Sequence, residues 1–375
     1  MHVGLNLVFL VPGESSGPET YARELIPALL NERPDLRITA FVNREASEAR
    51  DVPWRDLVET VTVPVRARRR AAWVVGEQQI LPTLARRAGV DLVHSLLNTG
   101  PARGRFRRVV TIHDLIYRIY PSAHGALRTL AMRLLVPLAA RTADRIIVPS
   151  DTTRKDLIRL LHVPDAKIDL VPEGVGMTAL QRWSTADELR RRYELGDRPF
   201  ALTLALKRPH KNLKRLLDAL ALIPRDRRPV LVLAGHATPY ERELRKHAAH
   251  LSLDEDVRFV GWVPNDELEG LYRASTCFVF PSLYEGFGLP VLEAMSRGVP
   301  VACSDRGALL EVADDAAVTF DPEQPRAIAD AIERILGDPA ERERLRRAGP
   351  ANAARFSWQE TARQTLRVYE RVLGG

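Results

Sequence analysis

Cysteine is scarce in this chain of 375 residues: Cys277 and Cys303 are the only two, each in an apolar, strand-like run. Two such thiols make no disulfide framework. They are expected to be reduced core residues of a cytoplasmic protein. Aromatic residues make up 6% of the sequence. With no zinc-finger spacing and no aromatic-rich RNA-binding strand, no nucleic-acid module is expected. Long hydrophobic runs are also missing. The longest, such as Leu134 to Ala140 and Pro229 to Gly235, fall far short of a membrane span. No basic n-region or small-residue cleavage site precedes Pro12-Gly13, so the N-terminus is expected to form a first strand and not a signal peptide. No Gly-X-Gly-X-X-Gly follows that strand, which sets aside an NAD-dependent dehydrogenase. No His/Cys/Asp cluster has metal-ligand spacing. Asp254-Glu255-Asp256 falls between a helix and a strand and is expected to be a solvated turn.

Charge is plentiful and uneven. The formal net charge is +7, and residues 1–175 hold most of the excess, with 25 Lys+Arg against 19 Asp+Glu. A negative partner is therefore expected on the first half: a phosphate-bearing acceptor, an anionic membrane surface or nucleic acid. Arg66, Arg68, Arg69 and Arg70 form one basic run, and Arg103, Arg105, Arg107 and Arg108 another. The segment Ala126–Ala143 carries Leu, Met and Val with Arg128, Arg133 and Arg141 spaced through it. It admits two readings, an ordinary packed helix or a helix lying on a membrane surface.

Apolar runs rich in Val, Ile and Leu alternate with helical patterns along the whole chain. Strands are expected at Val3–Leu10, Arg37–Val42, Val61–Val65, Leu92–His94, Val109–Ile112, Arg145–Val148 and Ile168–Val171. They recur at Phe200–Leu206, Val230–Ala234, Val257–Val260, Thr276–Phe280, Pro300–Cys303 and Ala317–Phe320. Continuous apolar strands between helices mean parallel βαβ units. A chain this long exceeds one ordinary core. Pro172, Gly174 and Gly176 break regular structure between two such blocks. The expected fold is α/β, with two Rossmann-like doubly wound domains: residues 1–175, residues 176–355, and a last helix from 356 to 375 that returns to the first.

One stretch carries the chemistry: Phe280-Pro-Ser-Leu-Tyr-Glu285-Gly-Phe287-Gly288-Leu289-Pro-Val-Leu-Glu293. It predicts a strand, a glycine-spaced loop and a helix start, with one carboxylate on the loop and one on the helix. Free N–H groups at a helix N-terminus favour phosphate oxygens. Carboxylates beside them suit hydroxyls, as on a sugar or a ribose. A nucleotide-sugar combines both.

Two glutamates eight apart around Gly-Phe-Gly-Leu-Pro resemble the signature of the retaining glycosyltransferases of family 4, which have the GT-B fold. The resemblance spans nearly the full chain and implies two domains facing an interdomain cleft. It places Glu285 by the transferred sugar and Glu293 on the nucleotide ribose, with N–H groups near Phe287, Gly288 and Leu289 on the diphosphate. His113, at the end of a strand in Thr111-Ile-His-Asp114, matches the family's histidine at the transferred sugar, with Asp114 orienting the loop. Lys211, opening a helix in Lys-Asn-Leu, matches the family's diphosphate lysine. The family's diphosphate arginine has no counterpart, because its place falls on Ala205-Leu206; either Lys207 or Arg208 substitutes, or the enzyme relies on Lys211 and the helix dipole. Val263 matches the stretch that meets the base. In the loop after the first strand only Gly17 carries over from a Gly-Gly pair. His94 is a weaker candidate. Ser150 is expected to be a helix cap.

The resemblance implies a metal-independent, configuration-retaining glycosyltransferase without a cofactor. It would take a hexose from a nucleotide-diphosphate sugar to a glycan, lipid-linked or small-molecule acceptor. Thr111 to Pro121 most resembles bacterial mannosyltransferases of surface-polysaccharide assembly, so GDP-mannose is the first expectation for the donor. The expected location is cytoplasmic, with peripheral contact at the inner membrane face if the surface reading of Ala126–Ala143 holds. The rivals are a GT-B nucleotide-sugar epimerase and a non-catalytic nucleotide-sugar-binding subunit.

Overall fold

The computed structural model describes residues 1–14, 16–49, 52–123, 125–175 and 182–374. It divides into two compact units, Met1–Gly176 with Phe356–Gly375, and Met177–Arg355.

The first unit is built on seven parallel strands: β1 (His2–Leu7), β2 (Arg37–Val42), β3 (Glu59–Thr62), β4 (Leu92–Ser95), β5 (Arg107–Thr111), β6 (Arg145–Val148) and β7 (Ile168–Leu170). Their order across the sheet is β3-β2-β1-β4-β5-β6-β7. The chain therefore reverses direction across the sheet between β1 and β4. Every residue of β1 and β4 is buried, as central parallel strands covered on both faces must be. The edge strand β3 starts and ends earlier than its apolar pattern suggests. Pro64 has no N–H for the ladder, and Val63 and Val65 serve a separate cluster with Phe41, Leu81 and Val93. The C-terminal helix, Trp358–Gly374, packs Trp358, Ala362, Leu366, Tyr369 and Val372 into the same core as Val3, Leu5, Tyr21 and Leu25.

The second unit has six parallel strands: β8 (Phe200–Leu204), β9 (Val230–Ala234), β10 (Val257–Gly261), β11 (Cys277–Phe280), β12 (Val301–Ser304) and β13 (Val318–Phe320). They run β10-β9-β8-β11-β12-β13, so the reversal lies between β8 and β11. Cys277 and Cys303 are free and buried in β11 and β12, and burial pushes both thiols up to about 12.

Asp256 corrects one expectation. The Asp254-Glu255-Asp256 turn is not wholly solvated, because Asp256 is buried and accepts from Arg198 at 2.7 Å and Arg228 at 2.8 Å. Burial opposes its charge, yet the two guanidinium hydrogen bonds win and hold the carboxyl below its ordinary value. Among the described residues, no group of three or more His, Cys, Asp and Glu could hold a metal ion. Nor, among them, is any helix long and apolar enough to cross a membrane.

Candidate functional site

In open α/β sheets, ligands bind beyond the carboxyl ends of strands where the strand order reverses. In the second unit that place lies past β8 and β11. The loop after β8 and the loop after β11 are stitched together there. The N–H of Leu283 donates to the His210 carbonyl at 2.8 Å. The Asn212 amide donates to the carbonyls of Pro281 at 3.0 Å and Pro322 at 2.7 Å. Asn212 itself adopts the left-handed conformation, φ 58°, which asparagine tolerates better than most residues.

This stitching brings Lys211 and Glu285 into contact. Lys211 Nζ donates to Glu285 Oε1 at 2.6 Å and stands 5.4 Å from the centre of the Phe280 ring. Both side chains are mostly buried, so the pair is held at the sheet edge rather than loose in solvent. Beside it, Gly288 takes φ +141° and starts the helix Leu289–Ser296, with Pro290 in its first turn. Phe287 is buried under this turn. Glu293, one turn into the helix, is buried and accepts from the Tyr272 hydroxyl at 2.9 Å. Arg297 donates to the Glu293 carbonyl at 2.6 Å and pairs with Glu269 at 2.7 Å. Val263 is buried, whereas its neighbour Trp262 is 59% exposed and stacks with His236, ring centres 6.4 Å apart.

Lys207 requires a correction. Its side chain is fully buried, donates to the Gly235 carbonyl and faces Glu241 Oε2 at 3.6 Å. Burial pushes this ammonium below its ordinary value against the pull of Glu241. A cation committed to the interior cannot serve a ligand, so of the two substitutes for the family arginine only Arg208, which is half-buried, stays eligible.

In the first unit, His113 follows β5 and is held on all sides. Its N–H donates to Asn98 Oδ1 at 2.8 Å, and its carbonyl accepts from Thr153 Oγ1 at 3.0 Å. Its ring contacts Glu173 Oε1 at 2.8 Å and the Leu96 carbonyl at 2.9 Å. Asp114 accepts from the N–H of Ile116 at 2.9 Å, so it caps the turn after the strand. His94 belongs to the core, not to a site. It is fully buried between the Tyr369 hydroxyl at 2.7 Å and Thr111 Oγ1 at 2.8 Å, and burial, helped by the charge of His113, lowers it to about 3. Gly17 is exposed in the first turn of the helix Ser16–Glu32, where Glu19 accepts from the N–H of Gly13 at 2.8 Å. Ser150 caps the helix Asp151–Leu161 by accepting from the N–H of Thr153.

Two family models match the chain, Glycosyltransferase Family 4 over residues 15–178 and Glycosyl transferases group 1 over residues 185–352. O-antigen chain mannosyltransferase B of Escherichia coli is 35% identical over 268 residues, which are 70% of this chain and 70% of that one. The chain belongs to the group 1, family 4 glycosyltransferases. A second relative, the serotype-specific mannosyltransferase WbdA of Escherichia coli, is 32% identical over 238 residues; the match spans 62% of this chain but only 29% of WbdA. Among solved structures, this glycosyltransferase superposes on sucrose-phosphate synthase from Thermosynechococcus elongatus with a TM-score of 0.81 at 23% identity, covering 100% of this chain and 99% of that one. Anabaena HepE in complex with UDP and glucose gives 0.74 at 20% identity, covering 99% and 100%. Both likenesses establish the GT-B fold.

Sequence reasoning passed over two residues of this glycosyltransferase. Glu173 lies between Pro172 and Gly174 at the expected domain boundary, yet it is the carboxylate on His113. Glu77 is fully buried and accepts from Asn6 at 2.9 Å and Thr99 at 3.1 Å, and burial pushes its carboxyl up. A lone acid in an unpatterned stretch gives no local sign of its partner.

Proposed function

We propose that this glycosyltransferase transfers a hexose, mannose in the first instance, from a nucleotide-diphosphate sugar to a hydroxyl of a glycan or lipid-linked acceptor. Configuration is retained and no metal takes part. The observation that carries this reading is the Lys211–Glu285 pair beside the Gly288 helix start. An ammonium has three N–H donors and spends one on Glu285, which leaves donors for diphosphate oxygens. The N–H groups of the helix start add fixed positive potential. Together they would stabilise the charge growing on the leaving diphosphate, the work a metal does in other transferases. Glu285 accepts from sugar hydroxyls and Glu293 from the ribose. Mannose is supported by the names of the two Escherichia coli relatives.

The test is binding and transfer across GDP-, UDP-, ADP- and dTDP-sugars, with and without EDTA. A donor that binds only the folded state raises stability by about 2.7 kcal/mol at a hundredfold excess over Kd. The expected result is a selective, EDTA-insensitive shift with GDP-mannose and an α-linked product by NMR. An EDTA-sensitive shift would overturn the metal-free site. An inverted product would overturn retention, and free epimerised sugar without acceptor would make the chain an epimerase.

Peripheral contact with an anionic membrane belongs to the same proposal, and its support is the helix Ala126–Thr142. That helix contains no acidic residue, and Leu130 and Leu134 are 57% and 67% exposed, with Arg133 and Arg141 also outward. The other basic runs are partly neutralised, by Arg66–Glu48 at 3.0 Å, Arg68–Glu14 at 2.5 Å and Arg107–Asp144 at 3.2 Å. Exposed Leu between Arg is the composition of a surface-seeking helix. The double variant Leu130→Asn/Leu134→Asn is expected to lose sedimentation with phosphatidylglycerol-containing vesicles while its donor-induced thermal shift stays. Equal sedimentation of variant and parent would remove this helix from the contact.

A further inference from the structure

The His113 ring has hydrogen-bond partners that only one protonation state satisfies. Nδ1 faces Glu173 Oε1 at 2.8 Å, and Nε2 faces the Leu96 carbonyl at 2.9 Å. Both partners are acceptors. A neutral imidazole offers one N–H and one lone pair, so it would set a lone pair against an oxygen; the imidazolium donates twice. Burial works against that charge. The Glu173 hydrogen bond and charge, the Leu96 carbonyl and the charge of Asp114 outweigh it and raise the ring above its ordinary value. The other titratable neighbours do not compete. His94 is neutral, and Tyr21, edge-on to the His113 ring at 5.0 Å between centres, is raised by burial and stays a neutral phenol.

Glu173 is itself gripped. Its side chain is almost wholly buried. The residues flanking it are tied to the start of the C-terminal helix: Thr361 Oγ1 donates to the Pro172 carbonyl at 2.8 Å, and the N–H of Val175 donates to the Phe356 carbonyl at 3.1 Å. A Cβ on Gly174 would come within 2.2 Å of the Trp358 nitrogen, so the segment lies flush against that turn.

We propose that Glu173 is a positioning residue for His113, fixing the ring as a doubly donating imidazolium at the carboxyl edge of the sheet, with the first turn of the C-terminal helix as its support. The proposal rests on the reading of His113 as the residue beside the transferred sugar. With both nitrogens committed, the ring is no general base. It is a held charge and a rigid wall at a strand end, and the C-terminal helix becomes part of the site from far along the chain.

Glu173→Gln keeps the shape and removes the charge. Its amide can donate to a neutral Nδ1, so the ring becomes free to lose its proton. The test is an NMR titration of the imidazole C–H signals, assigned with His113→Asn, together with kcat and KM from pH 5.5 to 9 on the full chain. In the parent, His113 is expected to titrate above its ordinary value. In Glu173→Gln it is expected to titrate below its ordinary value, and kcat should fall about tenfold per pH unit above that new midpoint while donor KM holds. Glu173→Asp should restore part of the parent profile, and Thr361→Val should move it a smaller distance in the same direction. An unchanged His113 titration in Glu173→Gln would overturn the proposal, as would a loss of kcat equal at every pH. If the parent transfers no sugar from any donor, the glycosyltransferase reading of the site fails, and the NMR titration still decides the Glu173–His113 linkage.

Discussion

Replacing Lys211 with alanine is expected to lower kcat for sugar transfer by about 10²–10³-fold, or about 2.7–4 kcal/mol of barrier, the size seen when one preorganised donor to a developing anion is lost. The ammonium is held at 2.6 Å from Glu285 and against the Phe280 face, so it needs little rearrangement to meet a diphosphate. Its neighbour Lys207 cannot take over, because it is buried against Gly235 and Glu241. Arg208 beside it is half-buried, and Arg208→Ala should cost less than Lys211→Ala. The substitution also strips Glu285 of its partner, which should cost about 1–3 kcal/mol of stability for a mostly buried carboxylate. Steady-state kinetics alongside thermal midpoints separate the two effects. Glu285→Gln makes a useful companion, since it relieves the orphaned charge but leaves the ammonium. A Lys211→Ala enzyme with parental kcat would remove this residue from the diphosphate and with it the observation on which the proposed function stands.

The second large effect is structural. Gly235 ends β9 at φ +117°, and a Cβ there would lie 2.3 Å from the Ala205 carbonyl oxygen. That oxygen is backbone at the start of the loop leading to Lys211, so it cannot step aside as a flexible side chain would. Gly235→Ala therefore combines a backbone conformation that costs about 1–3 kcal/mol for any residue with a Cβ and overpacking worth about 1–3 kcal/mol more. Gly261 makes the comparison sharp. It also has a positive φ, +70°, but a Cβ there meets nothing within 4 Å. Gly261→Ala should lose only the left-handed penalty of about 1–2 kcal/mol. Thermal unfolding of both variants checks the difference. Equal losses would mean that the loop after β8 yields easily, and that its grip on Lys211 is looser than the hydrogen bonds suggest.

The pH dependence of stability has a definite sign at His113. Its folded-state value lies above the ordinary one. The contribution of the Glu173 pair is therefore complete below about 6.5, the unfolded value, and is lost as pH rises through the raised folded value. Asp256 works the other way. Its folded value is depressed, so its contribution is present above the unfolded value and lost as acid takes pH down through the folded one.

Much of the architecture was legible because parallel strands announce themselves. Burial on both faces demands continuous Val, Ile and Leu, and the strands of the described residues overlap such runs, β3 only at Val61 and Thr62. The helix Asp151–Leu161 starts where its expected cap lies, because Ser150 acts locally on the N–H of Thr153. Local rules failed where a distant partner decided the outcome. Val61–Val65 reads as a strand, yet β3 ends at Thr62, shortly before Pro64, which has no N–H for the ladder. Asp256 looked solvated, but two arginines from other segments bury it. His94 is a weaker candidate at a strand end, and the C-terminal helix covers it through Tyr369.

The sequence by itself determined the βαβ alternation, the glycine loop with its two glutamates, and the family to which they point. Each is written in contiguous residues, through periodicity and turn chemistry that act over a few positions. Only the tertiary structure decided which charges meet. It joined Lys211 to Glu285 across 74 positions and His113 to Glu173 across 60. It also turned Lys207 inward while leaving Arg208 half-buried beside it. Ion pairs and hydrogen bonds act over a few ångströms in space, and separation along the chain says nothing about that distance until the sheet order has fixed it.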